Sequence, residues 1–403
     1  MLSDSTKKNI LLIIDDYVPD STKVAAKMMH ELACEFYKQG YNVTVVTPGV
    51  NQKEAVNVEY IDNIEVIRFK SGQIKNCSFT KRAINENLLS YRAKKFTTHL
   101  LKTKKIELIV SYSPSIFWGG FVHDQKNKHS CPAYLILRDF FPQWIIDNGM
   151  IKETSLVAKY FRYFEKINYD SADYIGIQSL ANIKYFKNCF GEKYQTRLLY
   201  NWAEAEVPDR NYNFREQLGL GEKTIFFYGG NLGKAQDMDN LVRLATKMRN
   251  RDDAHFVFLG QGDEVELVKR KIKEYDLVNV SLLPPVSQAD FKAILKEIDI
   301  GLFSLSRDHM SHNFPGKILG YMVNSVPILG SVNPGNDLKS VVEDAQAGFV
   351  SINGEDEILY ENALKLLNDA ALRKSAGHHA VCLLHDKFTV TAAANEILSI
   401  LIN

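Results

Sequence analysis

Three stretches of this 403-residue chain combine residue types suited to holding an anion. Gly229, Gly230, Asn231, Leu232, Gly233 and Lys234 form a glycine-rich string that ends in a cation. Glycines let backbone N–H groups come close to a pyrophosphate, Lys234 offers charge to its oxygens, and a following helix adds its N-terminal dipole. The same string also makes a plain tight turn. It is not a P-loop, because the spacing and the Ser/Thr after the lysine are missing. Gly260, Gln261 and Gly262 make a second cluster, equally compatible with a sharp strand-to-helix turn. The third stretch, Ser304 to Lys317, is long and polar, carries Asn313, is broken by Pro315 and Gly316, and launches a helix near Lys317. A loop of that length is uncommon without a role, and a helix start with a lysine suits phosphates and ribose.

In the N-terminal half, Arg138 and Asp139 follow the apolar run Ala133 to Leu137. They read either as an ion pair or turn cap, or as a site in which Asp139 is a general base or stabilises an oxocarbenium-like transition state. Two other loops should share that edge. One, Asp15 to Val24, holds Ser21, Thr22 and Lys23; the other, Ser111 to Gly120, holds Ser113 and Pro114. Phe117 and Trp118 in the second loop either pack internally or offer an aromatic surface to an acceptor.

Such loops need a scaffold that brings them to one side. Ile10 to Ile14, an amphipathic Val24 to Gln39 closed by Gly40, and Tyr41 to Thr47 ended by Pro48 and Gly49 predict a β-α-β unit of a parallel sheet. Further strands are predicted at Val66–Phe69, Leu108–Ser111, Ala133–Leu137 and Tyr174–Gln178, with a long helix from about Ile151 to Ser171. The alternation restarts with Ile225–Tyr228, a helix over Met238–Met248, and strands at His255–Leu259, Val280–Leu282, Ile300–Phe303 and Pro327–Leu329. Irregular residues from about Trp202 to Arg210 mark a linker, which divides the chain into 1–203, 204–385 and a C-terminal helix within 386–403 able to return to the first domain. In open α/β sheets, ligands bind outside the carboxyl ends of the strands, where all the loops above fall.

Length and composition agree with two ordinary cores: 45% hydrophobic, 24% charged, net charge +1. The charge is uneven. Arg68, Lys70, Lys75, Lys81, Arg82, Arg92, Lys94, Lys95, Lys102, Lys104 and Lys105 are opposed between 68 and 105 only by Glu86, which predicts a solvated basic face or one that meets an anionic membrane or phosphorylated acceptor. The rest of the chain is balanced and shows no nucleic-acid recognition module. The five cysteines, Cys34, Cys77, Cys131, Cys189 and Cys382, are scattered singly, which argues against a disulfide framework and fits a reducing cytoplasm. His123, His129, His378 and His379 lack partners at ligand spacing, so no metal is expected. The apolar run at Ile10 is too short to span a bilayer. A Rossmann Gly-x-Gly-x-x-Gly string is missing after the first strand and no Gly-x-Ser-x-Gly elbow occurs, which count against a nicotinamide enzyme and an α/β-hydrolase.

Taken together, the Pro19 loop, Tyr112 to Pro114, Leu137 to Pro142, Ala172, Asp173 and Ser179, the Tyr200 to Trp202 hinge, Tyr228 to Gln236, Gly260 to Gly262, Asp299, and Pro315 to Lys317 with Tyr321, Met322 and Pro327 resemble the family 4 glycosyltransferases. Within them the chain is similar to bacterial O-antigen and capsule L-fucosamine (N-acetyl-L-fucosaminyl) transferases of the WbuB type. The resemblance implies a GT-B fold: two Rossmann-like parallel-sheet domains facing a cleft. It implies a UDP-linked sugar donor on the C-terminal domain, with Lys234 and Lys317 stabilising the departing diphosphate without a metal and without any cofactor. It also implies a saccharide on undecaprenyl diphosphate as acceptor, taken up by a cytoplasmic enzyme at the inner membrane face. One departure stands out. The family carries two Glu eight positions apart, for sugar and ribose, where this chain has His312 and Gly320, and its usual Arg in the donor loop is Asn231. An epimerase on the same scaffold and an inactive GT-B partner subunit therefore stay open as alternatives.

Overall fold

The computed structural model describes residues 7–21, 23–50, 52–74, 77–113, 115–147, 149–203, 211–308, 312 and 314–401. Of the expectations above, Thr22, Lys75, Pro114, Asn313 and most of the linker lie outside them. The chain divides into two compact units, Met1–Tyr200 with Val390–Asn403, and Asn201–Thr389.

Unit 1 is built on strands β1 (Asn9–Ile13), β2 (Asn42–Val50), β3 (Val56–Ile61), β4 (Ile64–Ser71), β5 (Ile106–Ser113), β6 (Ala133–Leu137), β7 (Tyr174–Ile177) and β8 (Thr196–Leu198). Among the described residues they form one eight-stranded sheet in the order β3-β4-β2-β1-β5-β6-β7-β8. Every pairing is parallel except β3 with β4. Ile10 to Ile13 are wholly buried, as a strand covered on both faces requires. The helix Val24–Lys38 follows β1 and buries Ala26, Met29, Leu32, Ala33 and Phe36, three or four residues apart on one face. Against that helix lies Val390–Leu398, the last α-helix, which buries Ala393, Ala394, Ile397 and Leu398. Its Asn395 accepts from Gln39 Nε2 at 3.2 Å, and Glu396 pairs with Arg197 at 3.4 Å.

Three local differences from the sequence reading have physical causes. Strand β2 runs through Pro48 and Gly49 to Val50. Its pairing with β1 ends at Ile13↔Val46, so on that side the proline nitrogen faces no ladder partner and costs no bond. The short hairpin β3–β4 turns at Asp62 and Asn63, both at positive φ (50° and 68°), the requirement of a tight two-residue turn that Asp and Asn tolerate. The predicted helix from Ile151 starts instead at Leu156, where Ser155 Oγ accepts from Ala158 N at 3.1 Å.

Unit 2 carries β9 (Thr224–Asn231), β10 (Ala254–Gln261), β11 (Val280–Leu283), β12 (Ile300–Ser304), β13 (Ile328–Val332) and β14 (Gly348–Ile352). They pair in the parallel order β11-β10-β9-β12-β13-β14. Phe226 and Tyr228 of β9 and Phe256 and Phe258 of β10 pack with Leu241, Val242 and Ala245 of the helix Met238–Lys247 in one core. Two residues flagged as landmarks prove to be framework. Asp299 Oδ2 binds Arg215 Nη2 at 2.5 Å and accepts from Ile225 N at 2.7 Å at the start of β9, and Asp173 takes Lys126 (2.6 Å) and the Ala133 amide (2.8 Å) at the start of β6.

Candidate active site

In unit 2, strand order reverses beside β9: the chain steps outward to β10 and β11, then returns to β12 on the other side. Such a reversal opens a crevice at the carboxyl ends, where ligands sit in α/β sheets. The predicted donor residues converge there. Gly229, Gly230 and Asn231 finish β9, and they are paired strand residues, Gly229↔Leu259, Gly230↔Gly260 and Asn231↔Gln261, rather than the turn expected. The glycines allow the close approach: a Cβ on Gly260 would lie 1.8 Å from the Gly230 carbonyl oxygen, and one on Gly262 2.2 Å from that of Leu232. Gly230 itself has φ 123° and is exposed, and a methyl group there would touch only Lys317 Cε, at 3.8 Å.

Lys317 opens the helix Lys317–Val323. Its Nζ lies over the Tyr228 ring, 3.4 Å from the centroid, and among the described residues no carboxylate pairs with it. Loss of hydration in this setting pushes its pKa down to about 7. One turn on, Tyr321 anchors the helix: its hydroxyl lies 2.9 Å from Leu302 O and 3.2 Å from Phe227 O, and its ring fills the space left by Gly301. Tyr321 thus fixes Lys317 relative to β9 and β12. A helix of seven residues has little dipole to offer, so charge at this point rests on the ammonium.

Lys234 is exposed, in a short 3-10 turn after Gly233, and its own amide donates to Asp263 Oδ1 at 3.2 Å. The helix expected to lend its dipole to an anion here begins at Met238, but the Met238 amide already donates to Glu264 Oε2 at 2.9 Å. That helix start is taken by the protein's own carboxylate. Asn231 Nδ2 donates to Gln236 Oε1 at 2.7 Å and so braces the loop. His312 Nδ1 lies 3.2 Å from Asn333 Nδ2, and burial lowers its pKa. At Gly320 a Cβ would sit 2.9 Å from Leu295 Cδ1, so the position is filled from the far side by an apolar chain. Pro315 is half-buried, and Gly316 has open space where a Cβ would stand.

Unit 1 reverses strand order between β1 and β5, and its candidates cluster at the carboxyl ends of β1, β5 and β6. Ser21 is buried and its Oγ accepts from Lys23 N at 3.3 Å, while Lys23 Nζ reaches Asp16 at 3.5 Å. Ser113 ends β5, and its buried Oγ has no hydrogen-bond partner among the described residues. Arg138 is buried, bonded to Tyr112, and its carbonyl accepts from Gln178 Nε2 at 2.6 Å. Asp139, next to it, keeps its surface open to solvent. The protein mass around it raises its pKa above the ordinary carboxylate value, and Arg138 opposes that shift. Phe117 and Trp118 are core residues, packed with Phe69 and Phe121, and offer no surface to an acceptor.

The basic stretch also changes in three dimensions. Arg68 is buried between Glu59 (2.6 Å) and Asp20 (3.2 Å); Lys94 pairs with Asp124 (2.7 Å), Lys104 with Glu65 (2.7 Å) and Lys105 with Glu107 (3.6 Å). Carboxylates outside the 68–105 window thus pair with these four cations of the stretch. No helix among the described residues is long and apolar enough to cross a membrane.

The family model for glycosyl transferases group 1 matches residues 210–380, most of unit 2. WbjE of Pseudomonas aeruginosa, named a probable glycosyltransferase, is 23% identical over 219 residues, 53% of this chain and 54% of that protein. WcaI of Escherichia coli K12, named for colanic acid biosynthesis, is 28% identical over 124 residues, 29% of this chain and 30% of WcaI. The matched part of the chain thus spans about half the length of the first relative and about a third of the second. Among solved structures, HepE of Anabaena in complex with UDP superposes with a TM-score of 0.68 at 15% identity, covering 98% of this chain and 99% of HepE. The class is therefore a GT-B fold, two parallel-sheet α/β units, and the match to the group 1 glycosyl transferase model falls within the second.

Proposed function

We propose that the chain is a metal-independent glycosyltransferase that moves a sugar from a UDP-sugar to a lipid-linked saccharide in bacterial surface polysaccharide synthesis. The observation that carries this reading is Lys317, a desolvated ammonium held over Tyr228 beside Gly230 at the reversal point of the sheet, with no protein carboxylate to balance it among the described residues. A diphosphate is the ligand whose charge and size complete such a site. Lys317 and Lys234 neutralise the two phosphates as the C–O bond to the sugar breaks and UDP leaves with the electron pair. Gly230, Gly260, Gly262 and Gly316 keep the backbone bare, and Asn313 and Pro315 are further donor residues in this reading. WcaI is named for colanic acid biosynthesis and HepE was solved with UDP, which supports the substrate class.

On unit 1, Asp139 accepts the proton of the attacking hydroxyl, aided by its raised pKa, and Arg138 with the loops at Ser21, Thr22, Lys23, Ser113 and Pro114 holds the acceptor. The donor sugar is N-acetyl-L-fucosamine and the acceptor a saccharide on undecaprenyl diphosphate, on the resemblance to the family 4 L-fucosamine transferases. Leu156, Tyr163, Met150, Trp144 and Tyr91 are exposed apolar residues of unit 1, and Lys95, Lys102, Lys152 and Lys159 are exposed cations of the same unit, residue types that suit the inner leaflet carrying such a lipid. The inactive-subunit alternative draws on Gly320 and His312 standing where the family has its two carboxylates. A thermal-shift screen with UDP, GDP, TDP and CMP sugars, followed by product analysis on a lipid-linked acceptor, tests the reading. Stabilisation by UDP sugars with transfer is expected; stabilisation without transfer supports the inactive subunit, and none at all removes the donor site.

A further inference from the structure

A cluster in unit 1 has no part in the sites above. His30 and Cys34 lie one turn apart on the helix Val24–Lys38, and Asp62 comes to them from the β3–β4 turn. His30 Nε2 is 2.9 Å from Asp62 Oδ2 and 3.6 Å from Cys34 Sγ, and the three ligand atoms all lie within 4.8 Å of one another. On the other side of the ring, Nδ1 is 2.8 Å from the hydroxyl of buried Tyr17.

The two contacts on Nε2 do not describe a nucleophilic thiol. A Cys–His–acid relay puts the thiol on one ring nitrogen and the carboxylate on the other. Here thiol and carboxylate crowd one nitrogen while the second is held by a tyrosine. That is the pattern of a ligating histidine: Nε2 turned to the ion with the other ligands, Nδ1 fixed by an outer hydrogen bond. The spacing agrees. Tetrahedral zinc with ordinary bond lengths separates its N and O ligands by about 3.4 Å and its N and S ligands by about 3.6 Å.

We propose that His30 Nε2, Cys34 Sγ and Asp62 Oδ2 bind one divalent cation of the zinc type, with solvent as fourth ligand on the exposed Asp62 side. Mixed nitrogen, sulfur and oxygen ligands suit zinc and disfavour magnesium or calcium. On binding, the Cys34 thiol releases its proton to solvent, and the thiolate and carboxylate balance the two positive charges. The His30 proton moves to Nδ1. The Tyr17 hydroxyl donates to Nδ1 before binding and accepts from it afterwards, so that hydrogen bond survives the change. The ion ties the β3–β4 turn to the helix that follows the loop containing Tyr17, Ser21 and Lys23.

The test uses the full chain, stripped with chelator, incubated with Zn(II) or Co(II), and desalted. About one equivalent of zinc should remain, measured by mass spectrometry of the metal, and the cobalt form should show a thiolate charge-transfer band. Asp62→Asn, exposed and in a conformation asparagine accepts, and the near-isosteric Cys34→Ser should each lose the retained metal, with circular dichroism unchanged. Tyr17→Phe should weaken affinity about 10- to 100-fold, because it acts only through His30. Cys382→Ser, which breaks the other His–Cys pair, 3.8 Å from His378, should retain metal like the unaltered chain. Retention below about a tenth of an equivalent in the unaltered chain, or full retention in Cys34→Ser, would overturn the proposal.

Discussion

Lys317 is the residue on which the donor reading turns, and its chemistry predicts two behaviours. Lys317→Ala removes a charge-assisted contact worth about 1.5 to 3 kcal/mol, so the Kd for UDP should rise roughly 10- to 150-fold in calorimetry. The free ammonium loses its proton near pH 7, whereas a bound diphosphate favours the charged form. Below pH 7 the lysine is already charged and affinity is flat from this group. Above it, binding must take up a proton, and affinity should fall by up to about tenfold per pH unit. Calorimetry in buffers of differing ionisation enthalpy measures that uptake directly; in Lys317→Arg it should vanish. For Asp139→Asn, loss of turnover with UDP affinity retained is expected, and an unchanged rate would remove Asp139 from the mechanism. The residue types at these positions are legible in the sequence. Tyr228 under the ammonium is not, because nothing in the spacing of positions 228 and 317 shows that a ring and a lysine meet.

At the scale of elements, the site depends on two strands that touch through bare backbone. Gly260→Ala should destabilise unit 2 by about 1 to 3 kcal/mol, read as a lowered thermal midpoint, since its methyl group would overlap the Gly230 carbonyl oxygen. UDP binding should weaken in parallel, as β9 and β10 part at the place where the donor loop starts. The glycines are visible as a motif in the sequence, but only the register Gly230↔Gly260 shows two strands in close approach. The helix at Met238 gives the converse lesson. Its start looked free for an anion until Glu264, 26 positions away, proved to cap it.

For the whole molecule, the chain leaves unit 1 at Tyr200, builds unit 2, and returns at Val390. Ending the chain at Thr389 uncovers the face of Val24–Lys38 that packs on the last α-helix and removes the Glu396 partner of Arg197. The thermal transition of unit 1 should drop by several degrees, about what 1 to 3 kcal/mol produces in a domain of this size, while calorimetric UDP affinity of unit 2 stays unchanged.

The alternation of the central strands with helices, the two-part division and the edge on which function should be sought are legible in the sequence itself, because hydrophobic period and turn residues act over a few neighbours, whereas the strands Val56–Ile61, Thr196–Leu198 and Gly348–Ile352 are not. Charge balance, capping and ligand clusters were decided by tertiary structure. The 68–105 stretch has only Glu86 as a carboxylate of its own until Asp20, Glu59, Glu65, Glu107 and Asp124 arrive from elsewhere. His30, Cys34 and Asp62 become neighbours only once a hairpin closes on a helix. Electrostatic and coordination contacts depend on distance in space, and a sheet whose order reverses midway brings together residues that sequence spacing keeps far apart.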